Sequence, residues 1–320
     1  MLYMTKEQLL KINVVLEDYL NYLYKVNPLL LNNINFFENL FYPFEFECNI
    51  KLKFKNISAT ETFKLVLEFY KKYYKEDIDY IKDLFDKGFF SISYASETTK
   101  DSCQYGKFID FVFYSKTIDL NMVAHELRHL LNSPETRRNC DNDALTEGLS
   151  LFDELLFCDF LKDKIGIDEV KNLELFNFYK SYDYMINSYM VLHLLNIKNN
   201  YSYLNEKNYI EYFNSTKEEY NSVCSYFLNK YNSYEDITLH TDFFYGFGNF
   251  ISHYIFNKFK ENPEFLNKFK KLNSLVKENK SVSECLNAID IDITSINIIS
   301  DLRNVIYEYI KDNIEINKIK

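Results

Sequence analysis

From Thr117 onward the apolar residues recur almost everywhere at three- and four-residue spacing, the period of a helix with one buried face. Runs of this kind cover 117–132, 143–164, 168–198, 215–231, 241–261, 263–278 and 299–318. The preceding residues are mixed. Thr5-Lys-Glu-Gln8 reads as a capping box that opens a helix ending at Asn27-Pro28, and a loop is expected through Pro43. Glu45 to Lys55 alternates, with Phe46, Cys48, Ile50, Leu52 and Phe54 on one side, and predicts a half-buried strand. Ser58-Ala-Thr-Glu61 is a second capping box, before a helix carrying Phe63, Val66, Leu67, Tyr70, Tyr73 and Tyr74 and a further helical segment to Gly88. Phe89–Tyr94 and Phe108–Tyr114 predict two more strands, separated by a polar loop containing Gly106. The fold class that follows is α+β and mainly α. A small sheet-containing lobe, residues 1–116, forms one wall of a cleft against a helical lobe, residues 117–320. Four Pro and six Gly, with no repeat, leave little room for a flexible linker, so the two lobes are expected to join tightly.

The helical run that begins the second lobe contains His125-Glu126-Leu127-Arg128-His129. Residues four apart on a helix stand one turn above each other, so the two imidazoles address one point, with Glu126 beside them. Met122, Val123, Leu127, Leu130 and Leu131 supply the helix with an apolar face, and Pro134 ends it. Glu147 opens a second amphipathic run, Leu145 to Leu161. A polar turn, Asn132 to Asn142, allows the second helix to fold back and bring that carboxylate to the two imidazoles. Two His and one Glu hold a metal while leaving a coordination position for water, the mark of a catalytic rather than a closed site. Glu126, adjacent to a ligand but not needed as one, is placed to act as general base. The bland alternative is a buried helix whose His pair is merely hydrogen-bonded. By affinity order the ion is Zn2+, one per chain, although the same ligands accept manganese or cobalt. Arg128 points away from the metal face, as a surface residue or a salt-bridge partner.

HELRH followed at this distance by Thr146-Glu-Gly-Leu-Ser150 resembles the gluzincin clan of zinc metallopeptidases, whose pattern is HExxH with a downstream Glu as third ligand. Glu147-Gly-Leu-Ser resembles the corresponding segment of aminopeptidase N-like enzymes. The longer string 115–156, with Asp119 six residues before the first His, resembles the oligoendopeptidase F-type peptidases. The resemblance covers roughly residues 107–160, with a weaker echo at 240–260. Oligopeptidases carry Gly where this chain has Arg128, and they are far longer. The resemblance implies a thermolysin-like catalytic core and a peptide or protein substrate that can lie along the strand before the metal helix. It also implies an acidic residue at Glu154, able to hydrogen-bond a ligand His and fix its tautomer, with Asp153 a weaker candidate. Asp119 is either a further supporting carboxylate or a cap at the start of the metal helix. An oxyanion donor is expected from a later helix, where His240 to Tyr254 is the matching stretch. Tyr245 is the first candidate there, and His240, His253 and Tyr254 are the others. No Gly-x-Met-Glu-Asn segment follows Gly88 or Gly106, which favours an endo- or oligopeptidase over an amine-anchored aminopeptidase.

Composition narrows the classes further. A net charge of −10 with interspersed Lys and Asp/Glu offers no basic face for nucleic acid. No apolar segment is long enough to span a bilayer, and MLYMTKEQLLK lacks a leader pattern, so a cytoplasmic location is expected. The six Cys have no CxxC spacing and read as reduced, small apolar residues, Cys140 being a remote ligand candidate. His193, in YMVLHLL, reads as a core or interface histidine. Two rivals to a general peptidase remain open at this level. One is a non-catalytic peptide-binding module with a remnant site, against which the intact Glu126 speaks. The other is a protease dedicated to a single protein.

Overall fold

The computed structural model describes residues 4–44, 52–96, 102–105, 107–132, 143–231, 233, 237, 239–292 and 295–314. The chain starts with α1 (Lys6–Val26), where the Thr5 side chain and Gln8 close the expected capping box. The segment expected as a loop through Pro43 is instead two short helices, α2 (Pro28–Asn32) and α3 (Ile34–Phe41). The reason is local. Asn27 ends α1 and also caps α2, its side chain accepting from Leu30 N at 2.9 Å, and Pro28 is preset for a first helical position. Ile34, Phe37, Leu40 and Phe41 then bury one face of α3.

Ser58 caps α4 (Ala59–Tyr73), and a short 3-10 turn, Lys75–Asp77, leads into α5 (Ile78–Asp86). A three-stranded sheet follows, comprising β1 (Phe90–Tyr94), β2 (Cys103–Tyr105) and β3 (Phe108–Phe113) in the order β1-β3-β2. β1 runs parallel to β3, with Phe90 opposite Ile109 and Tyr94 opposite Phe113, and β2 is antiparallel to β3. β2 falls within the stretch expected as a polar loop, where three residues are too few to show a period.

The strand expected at Glu45 to Lys55 needs correction over the part that can be judged. Residues 45–51 lie outside the described residues, and 52–55 carry no strand, only a single antiparallel bridge between Asn56 and Lys116 following them. Backbone groups here are claimed by the second lobe. Lys55 N donates to Glu169 Oε1 at 2.9 Å, and Asn172 Nδ2 donates to Lys53 O at 3.0 Å.

The remaining helices are α6 (Ile118–Asn132), α7 (Asp143–Ile165), α8 (Ile167–Tyr201), α9 (Glu206–Phe213), α10 (Lys217–Lys230), α11 (Leu239–Glu261), α12 (Phe265–Lys277), α13 (Val282–Asn287) and α14 (Ile296–Asn313). The two short ones, α9 and α13, have too few turns to stand out from the pattern. The class is mainly α with a small sheet. One continuous hydrophobic cluster extends from Ile12 in α1 to Ile310 in α14. No described helix is long and apolar enough to cross a membrane.

α7 and α11 approach to backbone contact at a pair of glycines. A Cβ on Gly248 would lie 2.8 Å from Gly148 N and 3.2 Å from Ala144 O, both backbone atoms that cannot swing aside. A Cβ on Gly246 would meet only Met185 and Phe41 at 3.4 Å, an ordinary contact. Gly248→Ala is therefore expected to destabilise the fold by about 2–3 kcal/mol through overpacking. Gly246→Ala is expected to be neutral or slightly stabilising, because Ala is the better helix former. Urea unfolding of the two variants beside the parent checks this, and equal midpoints would refute the close-approach argument.

Candidate metal centre

α6 presents His125 and His129 on one face, their rings edge to face with centroids 4.5 Å apart. Their Nε2 atoms are 2.9 Å from each other. Glu147 reaches both from the first turns of α7, with Oε2 3.3 Å from His125 Nε2 and Oε1 3.4 Å from His129 Nε2. Ligand atoms from the three residues all lie within 4.8 Å of one another. Both His are more than nine-tenths buried, and Glu147 Oε2 is a buried oxygen with no hydrogen bond among the described residues. Lone pairs aimed at one point repel unless a proton or a cation lies between them, so the donor set fits a divalent metal that accepts nitrogen and oxygen.

The residues around this triad are arranged to hold it. Glu154 stands two turns along α7 from Glu147, and its Oε1 is 2.6 Å from His125 Nδ1. A carboxylate at that nitrogen keeps the proton on Nδ1 and leaves the Nε2 lone pair for a ligand role. Glu126 is half-buried and lines the cleft beside the triad. Burial pushes its carboxyl pKa up, and the nearby His125 and His129 offset part of that rise. Asp119 lies in the first turn of α6, where Oδ1 accepts from Tyr114 N at 3.0 Å and Oδ2 from Lys116 N at 3.1 Å. It thereby clamps the tight turn at Ser115, whose φ is +57°.

Arg128 is not a surface residue. It is 2 % exposed, and its Nε donates to Asp153 Oδ2 at 2.7 Å. Tyr74 donates to Asp153 Oδ1 at 2.6 Å, while the Tyr70 hydroxyl is 3.1 Å from Asp153 Oδ2 and 3.2 Å from Ala124 O. The guanidinium also lies 4.2 Å from the centre of the Tyr74 ring. No spacing rule could have revealed this cluster, because its members come from α4, α6 and α7.

Of the later candidates, the structure brings Tyr245 to the site. Its ring lies 12° from parallel to that of His125, with centroids 6.3 Å apart, and stacks on Tyr184 at 4.7 Å. Burial, then the charges of Glu147 and Glu126, push its hydroxyl pKa far up, so it remains a hydrogen-bond donor. The other candidates are not brought to the site in this way. His253 packs against Phe178 and Tyr309 in the interior, and burial pushes its pKa down to about 3. Tyr254 is buried, with Lys258 Nζ 5.9 Å from its ring centre, and neither residue lines the cleft. The side chain of His240 lies outside what the structure describes, as does Cys140. Cys103, Cys158, Cys224 and Cys285 are free thiols. His193 is a core residue, its Nδ1 2.7 Å from Glu38 Oε1 and its Nε2 2.9 Å from the Tyr209 hydroxyl.

The cleft holds about 740 Å³. Its walls include Phe54, Ser102 and Tyr114 from the first lobe and Asn177, Lys180 and Tyr184 from α8, none of which the sequence marked. A larger groove of about 870 Å³ between α4, α5 and β1 is lined mainly by apolar residues such as Phe63, Leu67, Ile81 and Phe85. None of the three converging ligands lines it.

No family model matches the sequence, and no curated protein matches it. The three-dimensional comparison does find relatives. A Bacillus anthracis str. Ames protein named as an oligoendopeptidase F superposes with a TM-score of 0.55 at 13% identity, over 93% of this chain and 56% of that one. The fold is similar to that of this structure. PZ peptidase A, solved with an inhibitor, superposes with a TM-score of 0.55 at 12% identity, over 93% of this chain and 58% of that one. A Chlamydophila abortus protein named as a peptidase gives 0.53 at 14% identity, over 93% of this chain and 55% of the other. The chain therefore spans little more than half the length of these structures, and at such identities the likeness is one of fold.

Two predictions follow from this geometry. Arg128→Ala is expected to cost about 3–5 kcal/mol of stability, because it leaves the Asp153 carboxylate buried without its partner. The double substitution Arg128→Met/Asp153→Asn should lose clearly less, and denaturant unfolding of both would show the opposite order if the pair were unimportant. For His125, burial favours the neutral ring, but hydrogen bonds and charge from Glu147 and Glu154 outweigh it and push the pKa up to about 10. A cation binding at Nε2 must displace that proton. Zinc affinity is thus expected to rise about tenfold per pH unit between pH 6 and 8, with about one proton released per ion. Calorimetric titrations in buffers of different ionisation enthalpy check both, and an affinity independent of pH would contradict the assignment.

Proposed function

We propose that this chain is a zinc-dependent metallopeptidase of gluzincin type that hydrolyses peptide bonds as an endo- or oligopeptidase. The observation that carries the reading is the convergence of His125, His129 and Glu147, with His125 and the adjacent Glu126 lining a cleft. The fold shared with oligoendopeptidase F-like structures supports it independently. Residues 1–116 would supply one wall of the cleft and 117–320 the other, in keeping with Phe54, Ser102 and Tyr114 facing His125, Glu126 and Tyr245.

In this reading His125, His129 and Glu147 hold one zinc ion. When bound, that ion supplies Lewis acidity, which polarises the scissile carbonyl and acidifies water. Glu126 accepts a proton from the attacking water and returns it to the leaving amine. Its raised pKa suits the first half of this exchange, since it makes the carboxylate a better acceptor of the water's proton. Tyr245, held as a phenol, donates to the oxygen that gains charge as the carbonyl carbon becomes tetrahedral. Glu154 keeps the His125 ring in its ligating tautomer, and Asp119 holds the turn that starts α6.

Metal content by mass spectrometry, with turnover of a peptide library, tests the proposal. One zinc per chain is expected in the parent and in Glu126→Gln, and little in His129→Ala. Glu126→Gln should reduce kcat by about 10²–10⁴-fold. Tyr245→Phe should reduce kcat by about 10²–10³-fold with little change in KM. A parent protein that takes up no metal even after reconstitution would sink the reading.

A further inference from the structure

α8 is the longest helix of the chain and packs along most of its length, yet it turns one polar stripe to the cleft. Asn177, Lys180, Ser181 and Tyr184 stand at i, i+3, i+4 and i+7, a single helical face, and all four line the cleft. Every one of them can donate a hydrogen bond, and one carries a full positive charge. The same cleft is lined by Glu126, Glu154 and Asp119 from α6 and α7, of which Glu154 is engaged by His125 and Asp119 by the backbone N–H groups of Tyr114 and Lys116. Nearby acids on α8 itself are directed elsewhere. Glu174 interacts with Lys162 of α7, and Asp183 with Tyr226 and Lys230 of α10.

Lys180 is exposed in the cleft and forms no salt bridge among the described residues, although its charge reaches Glu126 and favours that carboxylate. Its Nζ is 5.6 Å from the centre of the Tyr245 ring, which in turn faces His125. Ser181 beside it is 3 % exposed, so the stripe runs from an exposed ammonium to a buried hydroxyl. An ammonium outside any salt bridge among the described residues and three neutral donors on one wall form a receptor for an anion with several acceptor oxygens. The charge on a peptide that meets this description is a carboxylate. An extended peptide advances about 3.3–3.6 Å per residue, so a group reaching Lys180 belongs to a residue one or two positions from the bond at the metal site.

We propose that the α8 stripe of Asn177, Lys180, Ser181 and Tyr184 is a carboxylate-recognition subsite, selecting substrates with a carboxylate one or two residues from the scissile bond. The proposal rests on the peptidase reading above and names its substrate class. An acidic side chain and the free C terminus of a short peptide offer the same chemistry, and Lys180 is the specificity-determining residue for either.

The test uses matched peptides in the zinc-loaded protein. One pair differs by Glu against Gln beside the cleaved bond, and the other by a free against an amidated C terminus. In the parent the carboxylate member of at least one pair is expected to have a kcat/KM about tenfold higher. The pair that discriminates identifies the source of the carboxylate. Lys180→Met should bring that ratio close to one, Lys180→Arg should keep most of it, and Lys180→Glu should invert it toward peptides with Lys at the same position. The same ratios should recur as dissociation constants for Glu126→Gln, in which chemistry is blocked, and circular dichroism controls for folding. Equal use of both members of each pair, or a preference that survives Lys180→Met, would overturn the proposal while leaving the peptidase reading intact. Absence of turnover on every peptide would count against the peptidase reading itself, and the binding ratios would then decide the subsite alone.

Discussion

The Arg128–Asp153 ion pair joins α6, which carries His125 and His129, to α7, which carries Glu147. Arg128 lies between His125 and His129 in the chain, and Asp153 directly precedes Glu154. A slip of α6 against α7 by one residue would break the pair and turn the His away from Glu147 at the same time. Burying two charges carries a large desolvation cost, offset here by a 2.7 Å contact, two tyrosine hydroxyls and an aromatic face over the guanidinium. Such a pair is a poor source of net stability compared with an apolar contact, but it is intolerant of misregister. It fits a site that requires three ligand atoms to converge.

The other side of α7 meets a different constraint. Gly148, immediately after the third ligand, faces Gly248 of α11 at backbone contact distance. This approach brings α11 close enough for Tyr245, three residues earlier, to lie against His125. The helices of Glu147 and Tyr245 are therefore linked through a glycine pair, and the cost of removing side chains from two helix interiors is balanced by the proximity it permits. Tyr184 and Lys180 of α8 complete that wall of the cleft, so three long helices meet around a narrow set of polar groups.

The residues before α6 contribute less chemistry and more boundary. Asp119 and Glu169 bind backbone N–H groups of the segments that enter the cleft, at Tyr114, Lys116 and Lys55. Carboxylates take the place of strand pairing there, which is why alternation at residues 52–55 did not become a ladder. An alternating pattern states which faces are apolar, but not whether a neighbouring strand is available.

The sequence by itself determined the mainly helical class, most of the long helices, two of the three strands and the HELRH pentapeptide with Glu147 and Glu154 downstream. All of these depend on interactions between residues close in the chain, where periodicity and capping leave a direct trace. Only the tertiary structure decided that Arg128 is buried against Asp153, that Gly148 meets Gly248, that Tyr245 rather than His253 or Tyr254 reaches the cleft, and that α8 turns donors toward it. Each of these joins helices far apart in sequence, and with 28 Tyr and 37 Lys and Arg in the chain no local pattern could single out the ones that meet. Helical period tells which residues share a face. Which helix that face meets is settled by packing.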